Sequence, residues 1–79
     1  MKKVFEDIIE ERERQKVIWG EDSDNFHHNE YLAYTVLGEE VGEIAKALLD
    51  KDRENLKEEL IQVAAVCVKW LEMINKKEF

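Results

Sequence analysis

The stretch NEYLAYTVLGEEVGEIAKALL, residues 29–49, decides how this chain folds. Asn29 is a good helix N-cap, and Glu30 places a carboxylate in the first turn, where the helix dipole favours it. No proline follows, and Gly38 and Gly42 weaken a helix without ending it. At about 100° per residue, Tyr34, Leu37, Val41, Ile44, Ala45 and Leu48 gather into one apolar arc, so the spacing predicts an amphipathic helix ending near Leu49. Glu40 falls inside the edge of that arc. Glu43 lies one turn further, on the polar side of the same edge, and the two carboxylates can converge on one point.

Upstream, Trp19 to Asn29 is polar and contains Gly20, Asp22, Ser23, Asp24 and Asn25, side chains that favour local turns, so a loop is expected there. Before it, Val4, Phe5, Ile8 and Ile9 recur at helical spacing and Glu10 to Lys16 is charged, which predicts a first helix from about residue 2 to about residue 18 with a narrow apolar stripe. Downstream, Asp50-Lys51-Asp52 breaks the second helix. A third, capped by Asp52, is predicted to run to about Lys76, with Lys76 and Lys77 set against its C-terminal dipole. The expected architecture is one all-α domain over residues 1–79 with three main helices. From Leu60 to Leu71 the third helix is apolar nearly all round, since Ile61, Ala64, Ala65 and Val68 lie away from the Glu59 face. Three helices from one short chain are too few to cover it, so a second subunit is expected there, in a homodimer or homotetramer built of helical bundles.

Hydrophobic residues are 44% of the chain and charged residues 39%, too apolar for a disordered segment. A 79-residue domain buries only roughly 60% of the surface its unfolded chain exposes, so its stability alone is marginal. The net charge of −7 opposes docking on nucleic acid or an anionic membrane, and a polyanionic substrate would need a cation between it and the protein. Cys67 is the single cysteine, and no long apolar run marks a signal peptide or spanning helix, which together predict a cytoplasmic protein.

The third helix repeats the carboxylate arrangement of the second. Leu56, Val63, Val66, Cys67 and Trp70 form an apolar face into which Glu59 projects, with Gln62 one turn on. An ionised carboxylate drawn out of water costs several kcal/mol unless paired or metal-bound, so two glutamates in apolar arcs call for a compensating partner. Oxygen donors without His or Cys suit magnesium or manganese. The alternative is that Glu40 and Glu59 stand at the core boundary, reaching solvent or pairing with Lys46, Arg53 or Lys57. A di-iron bundle would use Glu-x-x-His, which no predicted helix offers. His27 and His28 are adjacent in a polar loop and cannot share a helical face, so a structural or solvent-facing role is expected. Cys67 is expected as a small buried thiol on an apolar face.

Leu37-Gly38-Glu39-Glu40-Val41-Gly42-Glu43, followed by Glu58-Glu59-Leu60-Ile61-Gln62-Val63-Ala64-Ala65-Val66, resembles the MazG-like branch of the all-α nucleotide pyrophosphohydrolases. Glu13-Arg14-Gln15 leading to Trp19-Gly20 looks like the start of its short members. The resemblance implies magnesium-dependent cleavage of an NTP or dNTP to the monophosphate and pyrophosphate, by an oligomer whose sites lie near its interfaces. Glu40, Glu43, Glu59 and Gln62 would be the metal ligands. Gln62 stands where the commonest pattern has Asp, and an amide oxygen can coordinate a hard cation while adding no charge, so weaker metal affinity is expected. Glu39 or Glu43 would position or deprotonate the attacking water. Lys46, Arg53 and Lys57 are candidates for phosphate contacts, and Trp19 either stacks on a base or closes the core. The rival expectation is a catalytically degenerate helical oligomer that serves as a protein-interaction module and folds indifferently to magnesium.

Overall fold

The computed structural model describes residues 1–19 and 29–77, without the side chain of Trp19. The expected loop, with His27 and His28, lies largely outside the described residues. Among the described residues there are three helices in an all-α arrangement: α1 (Lys2–Trp19), α2 (Glu30–Leu49) and α3 (Arg53–Asn75). Their boundaries follow local chemistry. Asn29 has extended backbone and its side-chain oxygen accepts from the amides of Tyr31 and Leu32 at 2.8 and 3.4 Å. Asp52 caps α3 likewise, accepting from the Asn55 amide at 3.0 Å.

The turn between α2 and α3 is made by the backbone. The Asp52 amide donates to the Ala47 carbonyl at 3.0 Å and the Lys51 amide to the Leu48 carbonyl at 3.2 Å, the double closure of a Schellman motif. Lys51 takes the left-handed position at φ 55°, where glycine is usual. Three residues thus reverse the chain, and α2 and α3 run antiparallel. At the far end, the Trp70 indole nitrogen donates to Glu30 Oε2 at 2.9 Å and joins the last turns of α3 to the first turn of α2.

α3 is the central element, packed on one side by α2 and on another by α1. Between α2 and α3, the buried Ala33, Val66 and Met73 are surrounded by Val36, Leu37 and Trp70. This face of α2 differs from the expected arc. Leu37 and Ile44 are half-buried as expected, whereas Tyr34, Val41, Ala45 and Leu48 are exposed and Ala33 and Ala47 are buried. Apolar residues occupy about two-thirds of the α2 circumference, so periodicity alone could not choose the packed side; the alanines let α3 come close there. On α3 the expected face is the observed one, with Leu56 and Val66 buried and Glu59, Val63, Cys67 and Trp70 half-buried.

α1 also departs from expectation, because Val4, Phe5 and Ile9 are each more than half exposed. It docks through polar side chains. Gln15 is 2% exposed, accepts from Arg12 Nη1 at 3.2 Å and donates to Glu11 Oε2 at 3.1 Å. Arg12 reaches across to Glu72 on α3 with two nitrogens at 3.3 Å. α1 also bears on the expectation that the Ile61, Ala64, Ala65 and Val68 side of α3 needs a second subunit: Ala65 is fully buried within the chain, Ile61, Ala64 and Val68 are half-buried, and Ile61 lines a groove shared with α1.

Candidate functional site

Midway along the α2–α3 contact, opposing helices bring two glutamates together. Glu40 and Glu59 are both half-buried, and the Gln62 side chain lies against them. With its amide nitrogen turned toward the carboxylates, the orientation that satisfies both, Gln62 donates to Glu40 Oε2 at 2.9 Å and to Glu59 Oε2 at 3.2 Å. The two carboxyl groups are close enough that a hydrogen bond between them favours the protonated form of Glu40. Such a bond needs a proton on one of them, because two carboxylates are acceptors only.

The electrostatics follow from this packing. Burial raises the Glu40 pKa above its ordinary value; the charge of Glu59 and the shared hydrogen bond raise it further, and Glu43 and Glu39 add smaller repulsions. Glu43 and Glu39 are themselves solvent-exposed, on the side of α2 adjoining Glu40. Of the four ligand candidates, Glu40, Glu59 and Gln62 are therefore in contact, while Glu43 acts on Glu40 through charge. Among the described residues, no three His, Cys, Asp or Glu side chains are gathered as a metal site.

The donor chemistry nonetheless fits a hard cation. Two carboxylates and an amide present oxygen-rich groups at one point, and rotation of the Gln62 amide would exchange its nitrogen for its oxygen. A cation there would also offset the repulsion between Glu40 and Glu59.

Gln62 also lines a groove of about 790 Å³ between α1 and α3. Its walls carry Asp7, Glu10, Glu11 and Arg14 from α1, with Glu54, Lys57, Glu58 and Ile61 from α3. Five carboxylates outnumber two cationic side chains, and Arg14 is already held by Glu11 at 2.6 and 2.8 Å. Asp7 sits below its ordinary pKa, chiefly through its hydrogen bond from Lys3 and also through the charges of Lys3 and Lys57. Of the proposed phosphate contacts, Lys57 alone reaches this groove. Lys46 is exposed on the polar side of α2 with Glu39 and Glu43, and Arg53 is exposed at the start of α3.

The α1 wall of this groove was missed by sequence reasoning. Its residues lie in the charged run Glu10 to Lys16 and at Asp7, which nothing in the helical pattern distinguishes from a solvated face. The one signal was Gln15, an uncharged polar residue within that run. Trp19 keeps the backbone of the last turn of α1, and its side chain is outside the described residues. Comparison with family models, curated proteins and solved structures finds no match to this chain.

Proposed function

We propose that this chain is a metal-dependent nucleoside triphosphate pyrophosphohydrolase that cleaves an NTP or dNTP to the monophosphate and pyrophosphate, as the likeness to MazG-like enzymes implies. The observation that supports this reading most is the meeting of Glu40 from α2 with Glu59 and Gln62 from α3. These are the residues in which the two acidic motifs resemble the family, and they are in contact although they stand far apart in sequence. Magnesium or manganese bound there would neutralise the triphosphate and polarise its α-phosphorus.

The chain's own residues would do the rest. Glu40, Glu59 and Gln62 would hold the metal, with Glu43 completing the set from the next turn of α2. Glu39 or Glu43, exposed beside Glu40, would take the proton of a water attacking the α-phosphorus. The bond from that phosphorus to the bridging oxygen then breaks, and pyrophosphate leaves. Lys57 in the acidic groove is the best placed of the cationic candidates to meet a phosphate. The single cysteine and the acidic surface fit an enzyme of the cytoplasm, working as a homodimer or homotetramer.

A second reading rests on a specific contact. Gln62 already bridges both carboxylates, so the cluster can persist without a cation, as expected of a degenerate oligomer that serves as a protein-interaction module. Incubation with a panel of nucleoside triphosphates and magnesium or manganese separates the two. Monophosphate plus pyrophosphate, abolished in Glu40→Gln, supports the enzyme; a folded protein that turns over no triphosphate with either metal favours the module.

A further inference from the structure

Gln62 is the residue by which this chain departs from the acidic pattern it resembles, and it stands inside the carboxylate cluster. The amide atom it turns toward the cluster lies 2.9 Å from Glu40 Oε2 and 3.2 Å from Glu59 Oε2. These two distances suit either atom that an amide can place there. With nitrogen, they are the lengths of hydrogen bonds to carboxylates, and two amide protons meet two acceptors. With oxygen, they are close to the spacing of neighbouring ligands round a small hard cation, because magnesium–oxygen bonds of about 2.0–2.1 Å meeting at right angles set adjacent oxygens about 2.9 Å apart. An aspartate at this position would have only the second use, since an ionised carboxylate carries no donor.

The exchange needs no movement of the helices. A half-turn about the last side-chain bond swaps the amide nitrogen and oxygen, and that terminal torsion is broad and roughly two-fold, so both settings are open to one backbone. Both settings also leave the amide with partners. Gln62 borders the groove between α1 and α3 as well as the cluster, and the five carboxylates of that groove are acceptors for the nitrogen when it faces away from Glu40 and Glu59.

We propose that Gln62 is an amide switch for the cation site: its nitrogen bridges Glu40 and Glu59 when no divalent cation is held there, and the amide turns its oxygen to the cation when one is. The proposal rests on the metal-binding reading of the cluster and assigns the regulation of that site to one torsion. In the first setting the bridge offers positive amide protons to both carboxylates and keeps them assembled. In the second setting those two hydrogen bonds are given up, so they compete with the cation. Gln62 thus preserves the geometry of the site between binding events and makes binding more readily reversible than three carboxylates would.

Nuclear magnetic resonance of the full chain labelled with nitrogen-15 and carbon-13 tests this, with the Gln62 side-chain signals assigned through bonds from its own backbone, so that no substitution is needed. Without divalent cation at neutral pH, the two Gln62 amide protons are expected downfield of those of the exposed Asn75 and should exchange with water at least tenfold more slowly. Added magnesium should shift the Gln62 carbonyl carbon and move its amide protons upfield, with the same concentration dependence as the carboxyl carbons of Glu40 and Glu59. Two results overturn the switch and leave the metal reading standing: carboxyl carbons of Glu40 and Glu59 that follow magnesium while the Gln62 amide does not, or cation-free Gln62 amide protons that exchange as fast as those of Asn75. A folded chain in which neither carboxyl carbon responds to saturating magnesium overturns both.

Discussion

At the scale of single residues, Glu40 makes stability depend on pH. Its folded-state pKa is raised above the ordinary 4.5 by burial and by Glu59, so the folded chain binds the proton more strongly than the unfolded chain does. The stability this proton contributes is complete below pH 4.5 and is lost as pH rises through the folded value. Without divalent cation, urea unfolding midpoints at fixed protein concentration should therefore fall as pH rises above that point. Glu40→Gln, which cannot ionise, should flatten this part of the profile and exceed the wild type at pH 7. Gln62→Asp tests the departure from the common motif: a third carboxylate should lower cation-free stability and tighten manganese binding by about tenfold, readable by calorimetry. The meeting of Glu40, Glu59 and Gln62 was legible because two pairs at spacing three, Glu40 with Glu43 and Glu59 with Gln62, stand at apolar arcs on successive helices. The Gln62 bridge was not, because an amide that donates to both carboxylates is a fact of side-chain rotation that no spacing encodes.

At the scale of the helices, the N-termini of α2 and α3 were the most legible feature, since each is fixed by one side chain bonding the adjacent backbone. Asn29→Ala removes the acceptor for the Tyr31 and Leu32 amides and should cost about 1 kcal/mol. Lys51 is the opposite case, a side chain held in a conformation that suits glycine. Lys51→Gly relieves left-handed strain of about 1 kcal/mol and should raise the melting temperature by roughly 4–8 °C in a domain of this size. Which side of α2 packs was not legible, because its apolar residues extend well past one face and tertiary contact selected the side carrying Ala33 and Ala47. α1 misled for a related reason: its apolar residues Val4, Phe5 and Ile9 stay largely exposed, while Arg12 ties it to Glu72 on α3 and the buried Gln15 bonds Arg12 and Glu11 within α1.

At the scale of the whole molecule, an all-α fold follows from the absence of proline, the helical periodicity and the two N-caps, Asn29 and Asp52. Among the described residues no helix is long and apolar enough to cross a membrane. Among the described residues the chain has few buried apolar side chains, a polar dock for α1 and exposed apolar residues along the α2–α3 hairpin. The central claim is that Glu40 and Glu59, delivered by different helices, hold one hard cation together with Gln62. Manganese binding followed by the loss of the free-ion electron paramagnetic resonance signal tests it most directly, in the wild type, Glu40→Gln and Glu59→Gln, each shown to be folded. The account predicts binding by the wild type that weakens at least tenfold in both variants; folded wild type that binds no manganese, or variants that bind it equally well, would contradict it.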